Sequence, residues 1–160
     1  MTIALQFVRG SDVGAKIIEW FDHGAGYSHV DAVLPDGRLL GARSDLVGNA
    51  PRGVQIRDPG YVGTDPTLVV RLATAVAMEV AFYAFLTSQI GKPYDTLGIL
   101  DFIGGRNWRQ PDTWFCSELV AAGMEKCGYF PYPLASTTNK ITPADLLLAI
   151  SARDTIPAVT

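Results

Sequence analysis

Short apolar stretches broken by turn residues fill the first half of the chain, and longer helix-spaced patterns fill the second. The opening Thr2-Ile3-Ala4-Leu5-Gln6-Phe7-Val8-Arg9-Gly10 reads as a first strand over about residues 3–8. Val13, Ile17, Ile18 and Phe21 recur at helical spacing after Ser11, which predicts an amphipathic helix ending in the Gly24-Ala25-Gly26 turn. Residues 28–34 form the next predicted strand, Pro35-Asp36-Gly37 a hairpin turn, and Arg38 to Arg43 its returning partner. Val54-Gln55-Ile56-Arg57 alternates with period two, and a further strand is expected from Thr67 to Leu72.

A continuous apolar pattern then predicts a buried helix from about Thr74 to Ile90, stopped by Gly91. Lys92-Pro93-Tyr94-Asp95 turns the chain into a short helix near Thr96 to Ile103, ended by Gly104-Gly105-Arg106-Asn107. Gln110-Pro111-Asp112-Thr113 forms a turn before a helix from about Trp114 to Lys126, which Gly128 closes. Thr142 is the expected N-cap of a last helix, with Pro143 in its first turn and Asp145 at N3. Strands early and helices late predict an α+β fold rather than alternating βαβ units.

At 160 residues the chain is expected to form one domain, 1–160. A net charge of −3 with scattered basic residues excludes a general attraction for nucleic acid. The longest apolar stretch, Leu72 to Leu86, is interrupted by Thr74 and Glu79 and is too short to span a bilayer, so no integral membrane segment is expected. Met1 leads into the first strand without a basic n-region, and the two cysteines suggest no disulfide framework. A reducing cytoplasm is the expected compartment. Neither a zinc spacing nor a nucleotide-binding glycine motif occurs, so no metal and no cofactor are expected.

The chemistry centres on Trp114-Phe115-Cys116-Ser117-Glu118-Leu119-Val120. A thiol at a helix start feels unpaired amides and the positive end of the dipole, which lowers its pKa. Cysteine more often packs than reacts, but helix-start placement and the polar Ser117-Glu118 favour function for Cys116. Cys127, near the same helix's C-terminus, is expected to pack. His29 stands in the strand-like Ser28-His29-Val30-Asp31-Ala32-Val33-Leu34 and is the candidate base. His23, in the Asp22-His23-Gly24 turn, is expected to cap a helix end. Asp31 emerges on the same strand face as His29 and either orients the imidazole or pairs with Arg43 across the hairpin.

Ser28 to Ala42, Gly91-Lys92-Pro93-Tyr94-Asp95, Phe115-Cys116-Ser117-Glu118-Leu119-Val120 and Ile141-Thr142-Pro143-Ala144-Asp145-Leu146 together resemble the circularly permuted NlpC-type papain-like hydrolases. The YiiX-like branch and its phage-encoded relatives are the nearest likeness. The resemblance implies a small antiparallel sheet packed against helices, with the nucleophile at a helix N-terminus. Cys116 would be the nucleophile and His29 the base, and Tyr94 would border the cleft, with Ser28 and Ser117 on the substrate side. A peptide, a peptidoglycan fragment or an acylated small molecule would be the substrate. A phage relative would reach its substrate by lysis or inside a particle. One departure stands out. The family's third polar residue lies twelve positions beyond the histidine, and here that position is Gly41. Asp31 fills the role from the histidine's own strand, or the site is a dyad, or the protein is a silent binding or assembly module.

Overall fold

In the computed structural model, described for residues 2–9, 26–46, 49–63, 65–95, 112–134, 137 and 141–155, the chain is α+β. Five strands, β1 (Thr2–Val8), β2 (His29–Val33), β3 (Leu39–Arg43), β4 (Gly53–Arg57) and β5 (Thr67–Ala73), form one sheet in the order β4-β3-β2-β1-β5. Every neighbouring pair is antiparallel. Three helices accompany them among the described residues: α1 (Val76–Ser88), α2 (Cys116–Lys126) and α3 (Pro143–Thr155). The helices expected after Ser11 and from Thr96 to Ile103, and His23 with them, lie outside the described residues.

Register explains which side chains meet. Val30 pairs with Phe7 and Ala32 with Leu5, so these four share one face of the sheet. All four are fully buried in a cluster with Ile3, Leu40, Phe82 and Leu86 of α1, and Leu119, Val120 and Met124 of α2. Burying each large apolar side chain contributes about 1.5–3 kcal/mol, so this cluster is the main source of stability. His29 and Asp31, at the alternate positions of β2, project from the opposite face. That is the strand's polar side, and it builds the site.

Helix α1 departs from the buried helix expected of its sequence. Only Phe82 and Leu86 are fully buried, while Val76 and Val80 are more than half exposed. A pattern that is apolar on every side cannot reveal which stripe faces the core. Where α1 meets α2, glycine is required. A Cβ at Gly123 would lie 2.4 Å from Leu86 Cδ1 and 3.0 Å from the Phe82 ring. Among the described residues no helix is long and apolar enough to cross a membrane.

Helix α3 starts as its sequence predicts. Asp145 N–H donates to Thr142 Oγ1 at 3.0 Å, and Thr142 N–H donates back to Asp145 Oδ2 at 3.1 Å. This reciprocal capping box satisfies two backbone donors.

Candidate active site

Helix α2 begins two residues later than its apolar pattern suggests. Phe115 is the N-cap, with extended backbone, and Cys116 is the first helical residue. Trp114 stays out of the helix because it is tied to Tyr94. Trp114 N–H donates to Pro93 O at 3.1 Å and Asp95 N–H to Trp114 O at 3.0 Å, a short parallel bridge. The same turn is fastened to β4, where Val54 N–H donates to Lys92 O at 2.9 Å and Gly91 N–H to Val54 O at 2.9 Å. Gly53 permits this approach: it has a φ of +99°, and a Cβ there would sit 2.2 Å from Lys92 O. Sheet, turn and helix start are thereby locked together, and Tyr94 is held within electrostatic reach of Cys116.

Cys116 is buried within electrostatic and hydrogen-bonding reach of the His29 side chain. His29 Nε2 lies 2.9 Å from Asp31 Oδ2. With Nε2 beside the carboxylate, Nδ1 is the nitrogen left to serve the thiol. The three residues thus form a chain from α2 to β2. Asp31 is only 1% exposed, and a buried carboxylate needs a partner such as the imidazolium.

The charges reinforce one another. Burial works against the His29 imidazolium, but Asp31 and the Cys116 thiolate outweigh it and raise its pKa to about 9. Burial pushes the Cys116 thiol up, yet His29 and the backbone amide of Val30 bring it below the ordinary thiol value. Asp31 is likewise held below the usual carboxylate range, against its burial, by His29, Tyr61 and Arg43. Tyr94 is pushed well above the ordinary phenol value by burial and by Cys116, so it stays protonated. Cys127 provides the contrast. Its thiol donates to Met124 O at 3.3 Å, and burial raises its pKa.

Gly41 accounts for the fit of Asp31. A Cβ at residue 41 would lie 1.8 Å from Asp31 Oδ1 and 2.9 Å from its Cγ. The carboxylate occupies the volume that a side chain at 41 would need. The alternative partner is otherwise engaged, for Arg43 forms a two-point pair with Asp45 at 2.7 Å for each bond. Asp31 therefore pairs with His29.

Two expected contact residues are placed differently from the rest. Ser117 is fully buried and donates through Oγ to Ile141 O at 2.6 Å, tying α2 to the segment before α3. Ser28 is buried as well, with Oγ 3.5 Å from Val8 O and its N–H donating to the same carbonyl at 3.0 Å. Both hydroxyls face backbone carbonyls here.

Two residues escaped the sequence reading. Tyr61, in a short 3-10 turn over Pro59–Val62, donates its hydroxyl to Asp31 Oδ2. Arg57 is 4% exposed and donates to the carbonyls of Gly41, Gln55, Pro51 and Gly53. It fixes the backbone shelf against which Asp31 rests. Among the described residues no group of three or more His, Cys, Asp or Glu is placed to hold a metal. Compared with known proteins, the chain matches no family model and no curated sequence.

Proposed function

We propose that this protein is a cysteine-dependent hydrolase of amides or esters, with a permuted papain-like arrangement of its site. The observation that carries the reading is the buried sequence Cys116, His29, Asp31, with the thiol at the first residue of a helix and the imidazole held between thiol and carboxylate. A buried, internally paired acid, base and nucleophile costs stability that a purely structural core would not require.

The chemistry follows from the resting charges. The Cys116 thiolate attacks the substrate carbonyl carbon, forming the C–S bond and an oxyanion. The Cys116 backbone N–H has no intrahelical acceptor at the first helical position and is free to stabilise that oxyanion. Imidazolium His29 gives its proton to the departing amine nitrogen or alkoxide oxygen as the C–N or C–O bond breaks. Neutral His29 then takes a proton from water, the resulting hydroxide adds to the thioester, and collapse breaks the C–S bond. Acid product leaves, and the thiolate–imidazolium pair is regenerated. Asp31 keeps the imidazole oriented and stabilises its charge without itself taking a proton.

Peptide or peptidoglycan amides and lipid acyl esters are the substrate classes that the resemblance to the YiiX-like hydrolases brings forward. A silent binding module would be favoured by an empty third position at Gly41; the carboxylate of Asp31 filling that space favours the enzyme instead. The test is mass-spectrometric trapping of an acyl-enzyme with activated esters and peptide amides. An adduct on Cys116, lost in His29→Ala, is the expected result. No adduct on Cys116 with any acyl donor, while the folded protein still binds peptides or acyl chains, would establish the silent module.

A further inference from the structure

We infer that Tyr61 is a positioning residue of this site, acting on Cys116 and His29 only through the Asp31 carboxylate. The inference rests on the hydrolase reading above and concerns how its acid–base pair is held. Tyr61 comes from a turn thirty positions away from Asp31 in sequence, yet its hydroxyl donates to the same Oδ2 that receives His29. Among the described residues Asp31 Oδ1 finds no hydrogen-bond donor, and it rests instead where a Cβ of residue 41 would be. The Tyr61 hydroxyl and the His29 imidazole therefore converge on one oxygen. The other oxygen has no donor among the described residues to orient it. The Tyr61 hydrogen bond orients the carboxylate from outside the strand that Asp31 shares with His29.

Tyr61 is itself held in place. The Arg43 guanidinium sits 4.7 Å from the centre of its ring, and Arg43 is anchored by Asp45. Burial and the adjacent carboxylate push the Tyr61 pKa far above the ordinary phenol value, so the hydroxyl remains a donor throughout the working range. Among the described residues, the charged and titratable groups facing Asp31 are His29 from its own strand, Tyr61 from the turn, Arg43 from β3, Arg57 from β4 and Cys116 from α2. Those facing Cys116 are His29, Asp31 and Tyr94. Removing the Tyr61 hydroxyl leaves every one of these charges in place. It takes away the donor to Asp31, together with the hydroxyl's hydrogen bond to Arg43, so the carboxylate is less well aimed at His29. His29 then holds its proton less firmly, and the Cys116 thiolate loses its counter-charge.

Tyr61→Phe keeps the ring and its contact with Arg43. The readout is the thiolate absorbance of Cys116 near 240 nm against pH, in a Cys127→Ser background, with a thermal melt of each variant. In Tyr61→Phe the acid limb should move to higher pH, by less than the roughly one unit that a direct hydrogen bond to the thiolate would be worth. On an Asp31→Ala background the same substitution should leave the limb unmoved. A limb that stays put in Tyr61→Phe, including one accompanied by a lowered melting temperature, overturns the inference and leaves Tyr61 a packing residue. An equal shift with and without Asp31 also overturns it, because Tyr61 would then act by another route. A wild-type Cys116 that titrates as an ordinary thiol would defeat the hydrolase reading itself, whatever Tyr61 does.

Discussion

Gly41→Ala is the smallest change that sets two atoms in the same place. A Cβ at 41 would stand 1.8 Å from Asp31 Oδ1, whereas Cβ contacts under 3.0 Å are essentially never seen. Asp31 Cα is backbone at 3.5 Å and does not obstruct, so the carboxylate is what must retreat, by at least about 1.2 Å. Its Oδ2 stands 2.9 Å from His29 Nε2, and that ion pair does not survive a displacement of this size. Two consequences follow. Breaking a buried ion pair while one charge remains buried costs about 3–5 kcal/mol. The His29 pKa, held at about 9 chiefly by Asp31 against burial, should fall toward or below its ordinary 6.5, a loss on the order of 3 kcal/mol in imidazolium stability. The two figures describe one interaction and agree in size. The assay is a histidine-detected NMR titration of wild type and Gly41→Ala, with urea unfolding of each. Asp31→Ala/Gly41→Ala should recover part of the lost stability, because the clash is gone, but not the raised His29 pKa. A Gly41→Ala protein with unaltered stability and His29 still titrating near pH 9 would refute the reasoning.

Other expectations test separate parts of the account. Asp31→Asn keeps the shape but removes the charge, so the alkaline limb of turnover, set by loss of the His29 proton near pH 9, should move to lower pH in a stopped-flow ester assay. Thr142→Ala removes the capping box of α3 and should cost about 1 kcal/mol in urea unfolding, with little change in Cys116 reactivity. Arg57→Met leaves the carbonyls of Gly41, Gln55, Pro51 and Gly53 without their donor. It should cost more than about 2 kcal/mol, and hydrogen exchange should show faster opening of β3 and β4.

The strands and the hairpin at Pro35-Asp36-Gly37 were legible because period-two patterning and turn chemistry are local properties. The capping box of α3 was legible for the same reason. Cys116 and His29 stood out because the thiol sits at a helix start and few histidines compete. What sequence concealed was non-local. Tyr61 lies in a loop with no periodicity, and nothing in its neighbourhood points to Asp31. Arg57 takes a polar place in an alternating strand, yet it is buried, because four carbonyls receive its guanidinium. Gly41 reads as a missing residue along the chain; in three dimensions it is the space that Asp31 requires. The start of α2 was misplaced by two residues because the apolar Trp114-Phe115 continues the helical pattern, while its backbone hydrogen bonds go to the Tyr94 turn. For α1 the uniform apolar character hid the face that packs.

The central claim is a thiolate–imidazolium pair at Cys116 and His29, and its most direct test is the pH dependence of iodoacetamide labelling. Cys116 and Cys127 are read separately by peptide mass spectrometry, in wild type and His29→Ala. The account predicts that Cys116 labels at a pH well below the ~8.5 of a free thiol and loses that advantage without His29, while Cys127 labels only at higher pH in both. If the two cysteines titrate alike in the wild type, or if His29→Ala leaves Cys116 unchanged, the pair does not exist and the hydrolase reading falls with it.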